Sequence, residues 1–379
     1  MKWFLIFFLI IYSSLHAYFY VKMTSAFYIK LIDKIILILF LIFTIVSPIL
    51  IRVIERKGFI SIAKILAYTG YLWMSFIFLF ICISLFIDII KGGEKTINYI
   101  LGKNIILFFT KPMPAFLISI SLSLIIIIYG LYEANNIRLK KVVIQNNKLV
   151  NLVNELRIVQ ISDLHISLTV NKSKLEKIAS LIKEAKPDIL FCTGDMIDAD
   201  TQNLNELSAI FRSIEAKYGK YAITGNHEYY FGLKEAKKFL ENSGFILIQQ
   251  KVINVNNFLT IIGIDDPTAK YDLFKTGSYL TEKELLPKVT KNSFIILLKH
   301  RPTVEKEAIN HFDLQLSGHT HKGQIFPFAL LTRIFFPLVG NSLHKFGNSY
   351  IYVSAGTGTW GPPIRFLAPP EVTLIIIHN

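Results

Sequence analysis

The sequence contains few cysteines, no internal repeat and no low-complexity segment of note. Its two cysteines are Cys82, inside an apolar run, and Cys192, inside a predicted strand. They lie far apart along the chain and form neither a zinc-finger nor a disulfide spacing. Both are therefore expected to be buried, reduced thiols.

Acidic residues are scarce in residues 1–150, which hold 5 Asp/Glu against 16 Lys/Arg, whereas the rest of the chain holds 22 against 25. Most of the net charge of +14 flanks apolar runs, which favours membrane topology and anionic lipid over nucleic acid as its explanation. The chain is 52% hydrophobic with a mean hydropathy of +0.46, too apolar for two ordinary soluble domains. Part of it is expected to lie in lipid.

Four apolar stretches are long enough to cross a bilayer of about 30 Å, which takes roughly 20 helical residues. They lie at 3–21, 35–54, 65–90 and 114–133. The first resembles a secretory signal, but three more spans follow, which favours an uncleaved anchor. None of the spans has Asp, Glu, Lys or Arg at its centre, as transport or proton relay would need, so the helices are expected to be an anchor or lipid-facing platform.

The distribution of charge in the short loops predicts an orientation. The side that would hold the C-terminal half carries nine Lys/Arg and the other side seven. This favours a multi-pass protein of the cell (inner) membrane with its C-terminal half in the cytoplasm. Residues 1–134 are expected to form the membrane region, 135–154 a linker, and 155–379 a soluble domain.

From about residue 155 the pattern alternates between strand and helix, which predicts a sheet-based α/β domain. No basic-aromatic module typical of nucleic-acid binding is present in this half, so no nucleic-acid partner is expected. Strands are predicted at 157–161, 188–193, 220–224, 258–264, 293–299, 313–317, 349–354 and 371–378, and helices at 173–186, 204–217 and 234–242.

Five of these strands end in side chains that can bind a metal. One such ending alone favours an ordinary surface turn, but five predict a common site at the carboxyl edge of the sheet. A glycine directly precedes three of the groups. Because glycine has no Cβ, it allows a sharp turn out of the strand, including one with a positive φ angle. The residues are Asp163 and His165, then Asp195 and Asp198, then Asn226, His227 and Glu228, then His300, and finally His319 and His321.

In order, these groups form D-x-H, G-D-x-x-D, G-N-H-E, a lone histidine and G-H-x-H. The pattern resembles the calcineurin-like metallophosphoesterase superfamily over roughly residues 155–379. With its apolar N-terminus and the tail GTGTWGPPIRF, the chain is similar to the membrane-anchored bacterial branch, some of whose members cleave the pyrophosphate of UDP-2,3-diacylglucosamine. The resemblance implies a four-helix transmembrane region followed by a four-layer α/β/β/α sandwich.

The resemblance also implies two divalent metal ions. Nitrogen and oxygen ligands without thiolate suit Mn²⁺ first, with Fe or Zn²⁺ as alternatives. Asp195 would bridge the two ions, since two nearby dications need a shared anionic ligand. The first ion would be held by Asp163, His165, Asp195 and His321, and the second by Asp195, Asn226, His300 and His319.

By the same resemblance, the reaction would be hydrolysis of a phosphoester or pyrophosphate bond by a metal-bridging hydroxide. His227, beside a ligand but not one itself, would protonate the leaving oxygen, and Asp198 would accept a hydrogen bond from His227 and keep it charged. Glu228 is expected to hydrogen-bond around the ligands. The partners would be the lipid bilayer and a phosphorylated substrate, lipid-linked or from a cell-envelope precursor.

Two alternatives stay open at this point. The fold could belong to a catalytically silent, membrane-bound binding or sensory protein, although every motif residue is present. It could also be a phosphodiesterase or phosphatase of soluble substrates, although such an enzyme has no obvious need for four spans.

Several other residues have two interpretations. The stretch 323–341 is too apolar for a solvent loop, and either packs in the core or forms an apolar surface beside the metals that receives an acyl chain. Arg333 and Arg365 would then meet phosphate or lipid headgroups. Lys299 and Arg301 are expected at substrate phosphate or in solvent, and Asp265 and Asp266 in an ordinary turn. Histidines outside the motifs are expected to be surface or hydrogen-bonded core residues, namely His16, His311, His344 and His378.

Overall fold

The computed structural model describes residues 2–146, 148, 155–198, 204–269, 279–289 and 293–378. The chain divides into two compact units. One comprises Met1–Tyr132 with Gly361–Ile364, and the other comprises Glu133–Trp360 with Arg365–Asn379.

The N-terminal unit is built from helices that are long and apolar enough to cross a membrane. Each contains one of the four predicted stretches, so this prediction is confirmed. The third is much longer than the roughly 20 residues that a span needs. The helices are α1 (Lys2–Ala26), α2 (Leu31–Arg56), α3 (Ile60–Leu101) and α4 (Pro112–Asn135).

His16 on α1 is a hydrogen-bonded core residue, as the sequence predicts. Its Nδ1 lies 2.7 Å from the carbonyl oxygen of Tyr12, and its Nε2 lies 3.0 Å from the indole nitrogen of Trp73 and 3.2 Å from Thr44 Oγ1. These bonds link three helices of the unit, which is how polar groups are usually satisfied between membrane helices.

The second unit contains two six-stranded sheets. In the first, the strand order is β1-β12-β2-β3-β4-β5, and every neighbouring pair is parallel except β12 with β2. Its strands are β1 (Arg138–Gln145), β2 (Glu155–Ile161), β3 (Ile189–Cys192), β4 (Lys220–Ala222), β5 (Ile246–Leu247) and β12 (Glu371–His378).

The second sheet has the order β10-β11-β9-β8-β7-β6, with parallel inner pairs and antiparallel pairs at both edges. All eight predicted strands are present in the two sheets, while β1, β5, β6 and β10 were missed. The strands are β6 (Lys251–Val255), β7 (Leu259–Ile264), β8 (Phe294–Lys299), β9 (Leu314–Ser317), β10 (Ser342–Phe346) and β11 (Ser349–Val353).

Helices cover the outer faces of both sheets and produce four layers, as the resemblance implied. Successive strand residues point to opposite faces, so Ile158 packs between the sheets while Val159 packs under the helices of the first sheet. On the second sheet, Leu297 packs with Leu285. The helices are α5 (Lys172–Glu184), α6 (Leu204–Arg212), α7 (Asn226–Phe231), α8 (Leu233–Asn242), α9 (Glu282–Leu285) and α10 (Phe328–Phe335).

The segment 135–154, expected as a linker, contains strand β1. This strand pairs with β12 in the register Arg138↔Glu371 and buries Val142 and Ile144 between the sheets. Its alternating pattern is typical of an edge strand, whose exposed positions here carry Lys140 and Lys141. Residues 138–145 of this segment therefore belong to a sheet.

Candidate metal centre

The predicted site residues lie just beyond the carboxyl ends of five parallel strands. Strands β2, β3 and β4 deliver residues from the first sheet, and β8 and β9 from the second. The two sheets thus bring histidines and carboxylates from five loops to one place, as is usual for sites in parallel sheets. Three overlapping sets of donor atoms there lie within 4.8 Å of one another.

The first set comprises Asp163, His165 and His321. The Nε2 atoms of His165 and His321 lie 2.9 Å apart, and His321 Nε2 lies 3.4 Å from Asp163 Oδ1. Donors that surround a cation at about 2.1 Å are separated by about 3.0–3.4 Å, depending on the coordination geometry. All three residues are buried, so the spacing fits a metal ion that they enclose.

The second set comprises Asp195, His300 and His319. His300 Nε2 lies 3.1 Å from Asp195 Oδ2 and 3.2 Å from His319 Nδ1. Asn226, at the start of α7, adds a buried Oδ1 that has no hydrogen-bond partner among the described residues. An unpaired buried acceptor of this kind fits a side chain whose partner is a metal ion.

Asp195 connects the two sets through one oxygen. Its Oδ2 lies 3.1 Å from His300 Nε2 and 3.9 Å from His165 Nε2, whereas its Oδ1 accepts a hydrogen bond from the backbone N–H of His227 at 2.9 Å. The carboxylate is therefore fixed in one orientation, with Oδ2 facing both donor sets. This geometry suits a bridging ligand.

Two histidines are oriented by partners on the far side of their rings. His300 Nδ1 donates to the carbonyl oxygen of Thr193 at 2.7 Å, and His165 Nδ1 lies 2.7 Å from Asp198 Oδ1. These contacts place the proton on Nδ1 and leave Nε2 of each ring as the metal-binding atom.

Glu228 hydrogen-bonds to the backbone of the loops that carry the ligands, as predicted. Its Oε2 accepts from the backbone N–H groups of Asp195 at 3.0 Å and Gly225 at 2.7 Å, and its Oε1 accepts from Met196 at 2.7 Å. One buried carboxylate thus ties the G-D and G-N-H-E loops together. Its contacts are to backbone, which is consistent with a supporting role.

His227 forms an ion pair with Asp198, whose Oδ1 lies 2.9 Å from His227 Nδ1. Burial by itself lowers the pKa of His227, but the carboxylates of Asp198 and Asp195 outweigh it and raise the pKa to about 9. The imidazole is therefore protonated at neutral pH. The third donor set groups His227 with His165 and Asp195, so a metal-binding role is also geometrically open to it.

The histidines of the second donor set carry opposite pKa shifts. Burial lowers the pKa of His300, but Asp195 and Asp163 outweigh it and raise it to about 10. Burial, followed by the charge on His300, lowers the pKa of His319 to about 3. A metal ion that binds here must displace the proton from His300, so binding is coupled to proton release.

Five of the predicted ligands have positive φ angles, which only glycine adopts without cost. They are Asp163 (54°), His165 (50°), Asp195 (53°), His319 (71°) and His321 (46°). Such residues cost on the order of 1–3 kcal/mol each and cluster at functional sites. The sequence gives no signal for this feature, because the conformation is imposed by the surrounding loops.

The three glycines before the ligands have two different roles. Gly194 has a φ of +95°, as the turn prediction allowed, whereas Gly225 and Gly318 do not have positive φ. A Cβ on Gly318 would lie 2.2 Å from Asp163 Oδ2, and one on Gly225 would lie 2.2 Å from Asp195 Oδ1. These two glycines therefore make room for the carboxylates.

We expect Gly318→Ala to weaken metal binding at least tenfold, because the new methyl group must displace the Asp163 carboxylate. The measurement is metal content after dialysis against graded concentrations of Mn²⁺, with circular dichroism to verify folding. Gly92→Ala is the matched control, since a Cβ at Gly92 on α3 meets nothing within 4 Å. Equal metal retention in both variants would contradict the proposed crowding of Asp163.

The prediction that Arg365 meets phosphate or lipid headgroups is wrong. The side chain is fully buried, and its guanidinium donates to the carbonyl oxygens of Gly358, Ala355 and Ala368 at 2.7–2.9 Å. Its Nη2 also lies 3.2 Å from His321 Nδ1. Arg365 therefore organises the backbone around a predicted ligand and cannot reach substrate.

One further expectation is corrected. Lys299 is buried and paired with Glu282 on α9, so it is directed neither to phosphate nor to solvent. Asp266 does open a turn, as expected, since its carbonyl oxygen accepts from the backbone N–H of Ala269 at 2.9 Å. Both Asp265 and Asp266 are nevertheless buried. Asp265 accepts from Thr224 Oγ1 at 2.8 Å, and Asp266 pairs with Arg301.

Comparison with known proteins agrees with this geometry. The sequence model of a family described as Calcineurin-like phosphoesterase matches residues 156–323. A relative from Aquifex aeolicus named "Uncharacterized metallophosphoesterase" is 36% identical over 252 residues, or 66% of this chain and 95% of the relative. A Bacillus subtilis protein with a similar name is 32% identical over 233 residues, or 59% of this chain and 79% of the relative.

A relative from Danio rerio is named "Transmembrane protein with metallophosphoesterase domain". It is 30% identical over 273 residues, which cover 69% of this chain and 62% of the relative. Together with the four apolar helices, it indicates association with a membrane. The chain belongs to the calcineurin-like metallophosphoesterase family and is a metal-dependent phosphoester hydrolase.

Proposed function

We propose that this protein hydrolyses a phosphoester or pyrophosphate bond in a lipid-linked or cell-envelope compound, with two divalent metal ions. The observation that supports two ions is the pair of donor sets, with Asp195 Oδ2 in the second set and 3.9 Å from His165 Nε2 of the first. The first ion would be held by Asp163, His165, Asp195 and His321, and the second by Asp195, Asn226, His300 and His319.

The donor set suits Mn²⁺, with Fe or Zn²⁺ as alternatives, because it combines imidazole, carboxylate and amide groups without a thiolate. When bound, such a metal pair supplies a hydroxide nucleophile near neutral pH and neutralises charge on the phosphoryl oxygens. The residues of the chain contribute fixed positions for both ions. The buried ion pairs and backbone contacts behind the ligands supply that rigidity.

His227 is the proposed general acid. Its Nδ1 is bound by Asp198 at 2.9 Å, which leaves Nε2–H to protonate a leaving oxygen. Asp198 also contacts His165 Nδ1 at 2.7 Å, so the same carboxylate orients a metal ligand and the acid. A shared carboxylate fixes the two imidazoles relative to each other, which proton transfer at a defined position requires.

The lipid part of the proposal rests on helix α10. It begins seven residues after His321, has no buried residue, and exposes Ile334 and Phe335 at 72% and 76%. Directly after it, the ring of Phe336 lies 5.0 Å from the ring of His319. An exposed apolar helix thus lies beside a proposed metal ligand, which supports an acyl-binding or interfacial surface over core packing.

The exposed apolar side chains of α10 and its flanking residues are numerous enough to bind an acyl chain or the bilayer interface. Burial of each large apolar side chain is worth about 1.5–3 kcal/mol, so a few of them can hold an acyl chain or the bilayer interface. Phe326, Phe328, Leu330 and Leu331 are also exposed. Arg333 on the same helix is exposed and would meet phosphate or lipid headgroups.

We expect the double change Ile334→Ser and Phe335→Ser to raise KM for UDP-2,3-diacylglucosamine in mixed micelles roughly 100-fold, because two side chains at about 1.5 kcal/mol each contribute about 3 kcal/mol of apolar contact. Values of kcat and KM for bis-p-nitrophenyl phosphate should stay unchanged. Both would be measured with detergent-purified, Mn²⁺-loaded protein. Phe336 is left intact because it packs against His319.

Ile246→Ser is the matched control, since Ile246 on β5 is a half-exposed apolar residue outside α10. Equal loss on both substrates would show that α10 acts in folding or catalysis and not in lipid recognition. Hydrolysis of the soluble ester alone, unaffected by α10, would favour a soluble substrate, and absence of turnover on both would favour the silent alternative.

The domain boundaries and the orientation remain proposals of the sequence. The Lys/Arg distribution supports a cytoplasmic location for the sheet domain in the cell (inner) membrane. Protease digestion of intact and opened spheroplasts would decide the orientation, since a cytoplasmic domain is protected only while the membrane is intact.

A further inference from the structure

Arg301 and Asp266 leave their strands at the same edge of the second sheet as the metal ligands. Strands β7 and β8 are parallel, with Ile264 opposite Lys299, so the residues two positions further on come together. The Nε atom of Arg301 donates to Asp266 Oδ2 at 2.7 Å, and Nη2 donates to Oδ1 at 3.0 Å. This two-bond pair fixes the plane of the guanidinium. Arg301 also directly follows the proposed ligand His300.

Asp266 is itself held rigidly. It is buried, and its Oδ1 accepts from the backbone N–H of Thr268 at 2.8 Å and from the Thr268 hydroxyl at 2.7 Å. The hydroxyl of Thr268 also lies 3.3 Å from Arg301 Nη2. The guanidinium is therefore presented in one orientation, which lowers the entropic cost of binding a ligand.

Part of this guanidinium is available to bind a ligand. Nη1 of Arg301 has no hydrogen-bond partner among the described residues, and 29% of the side chain is exposed. Burial lowers the pKa of Arg301 and Asp266 raises it, with smaller contributions from Tyr230 and Asp195. The group therefore lies within electrostatic reach of Asp195 and of Tyr230, whose ring is 5.4 Å from that of His227.

The other basic residues considered for phosphate binding are differently placed. Lys299 is paired with Glu282, Arg365 is enclosed by backbone carbonyls, and Arg333 lies on the exposed helix α10. Of these four, Arg301 alone combines a fixed position beside the ligands with an unpaired donor in the described part of the chain.

We propose that Arg301 binds a second anionic group of the substrate, adjacent to the phosphoryl group that is hydrolysed. Asp266 is the positioning residue for this contact. The inference rests on the proposed function and narrows it to substrates such as pyrophosphate diesters, which carry a second phosphate. A planar guanidinium with a free N–H is well matched to a phosphate oxygen.

The test compares two non-hydrolysable ligands, methylenediphosphonate and methylphosphonate, by isothermal titration calorimetry on full-length, detergent-solubilised protein loaded with Mn²⁺. We expect the wild type to bind the diphosphonate more tightly. Arg301→Gln should weaken diphosphonate binding about 10–100-fold, the usual worth of a charged hydrogen bond, and change methylphosphonate binding less than about threefold.

Three further variants separate binding from folding. Asp266→Asn and Arg301→Lys should each give an intermediate loss, since the first loosens the guanidinium and the second keeps only the charge. Arg212→Gln, which removes an exposed arginine in the last turn of α6, should leave both affinities unchanged. If Arg301→Gln loses folded protein, the comparison of Arg301→Lys with the wild type gives the same test.

Equal weakening of both ligands, or no change in either, would overturn the inference, as would a wild type that binds both alike. Failure of this inference is distinguishable from failure of the proposed function. Diphosphonate selectivity that depends on Arg301, without turnover of any ester, would reject hydrolysis and keep the anion site. Turnover of esters with no effect of Arg301 on either ligand would support hydrolysis and reject the anion site.

Discussion

Asp195→Asn is expected to abolish turnover and to remove at least one metal ion per chain. Asp195 Oδ2 lies 3.1 Å from His300 Nε2 and 3.9 Å from His165 Nε2, so it is an anionic atom that faces both donor sets. Without that charge, two dications a few ångströms apart repel each other with little compensation. Metal content would be measured by mass spectrometry on protein dialysed against Mn²⁺, alongside hydrolysis of bis-p-nitrophenyl phosphate.

Two comparisons sharpen this result. Asp163 belongs only to the first donor set, and an asparagine there can still accept from the backbone N–H of His319, so Asp163→Asn should leave one ion per chain, at the site of His300 and His319. Glu176→Gln, an exposed carboxylate on α5, should keep both ions and full activity. Two ions and near-normal turnover in Asp195→Asn would be incompatible with the shared ligand.

The sequence was enough to group the candidate site residues because their pattern is local. Each group of ligands follows a strand by one to four residues, and a strand end fixes where such residues must lie. Asp163, Asp195 and His300 could therefore be assigned to a common edge without any knowledge of distances. The apolar runs that form α1 to α4 are equally local, since length and hydropathy are enough to identify them.

The contacts that the sequence did not predict all depend on packing between distant segments. Arg365 lies 44 residues beyond His321, and nothing in its neighbourhood indicates that backbone carbonyls enclose it. Asp266 pairs with Arg301 only because β7 and β8 are adjacent in the sheet. Strand β1 was assigned to a linker because edge strands carry exposed lysines that look like loop composition.

The ambiguity over residues 323–341 had a different cause. Apolar composition predicts burial, but it does not say whether protein or lipid provides the cover. The structure exposes Leu330, Ile334 and Phe335 on α10, so core packing is wrong for the helical part of this stretch. Sequence patterns cannot separate these outcomes when a chain also has membrane spans.

His227→Ala is expected to lower kcat on substrates with alkoxide leaving groups roughly 10²–10⁴-fold, the usual worth of a positioned general acid. A p-nitrophenolate leaving group needs little protonation, so its hydrolysis should be affected far less. Metal content should be unchanged, because the proposed ligands are all retained. Equal loss on both leaving groups, or loss of an ion, would favour the metal-binding role that the third donor set leaves open.

The pH profile provides an independent measurement of the same role. Because the acid must be protonated, the rate falls as pH rises through the pKa of His227, which burial lowers and the Asp198 carboxylate raises. Asp198→Asn removes this charge, so the alkaline limb should move to lower pH. The same variant should retain both ions, since an asparagine oxygen can still accept from His165 Nδ1. If the alkaline limb stays in place while both metals remain bound, the proton donor is a group other than His227.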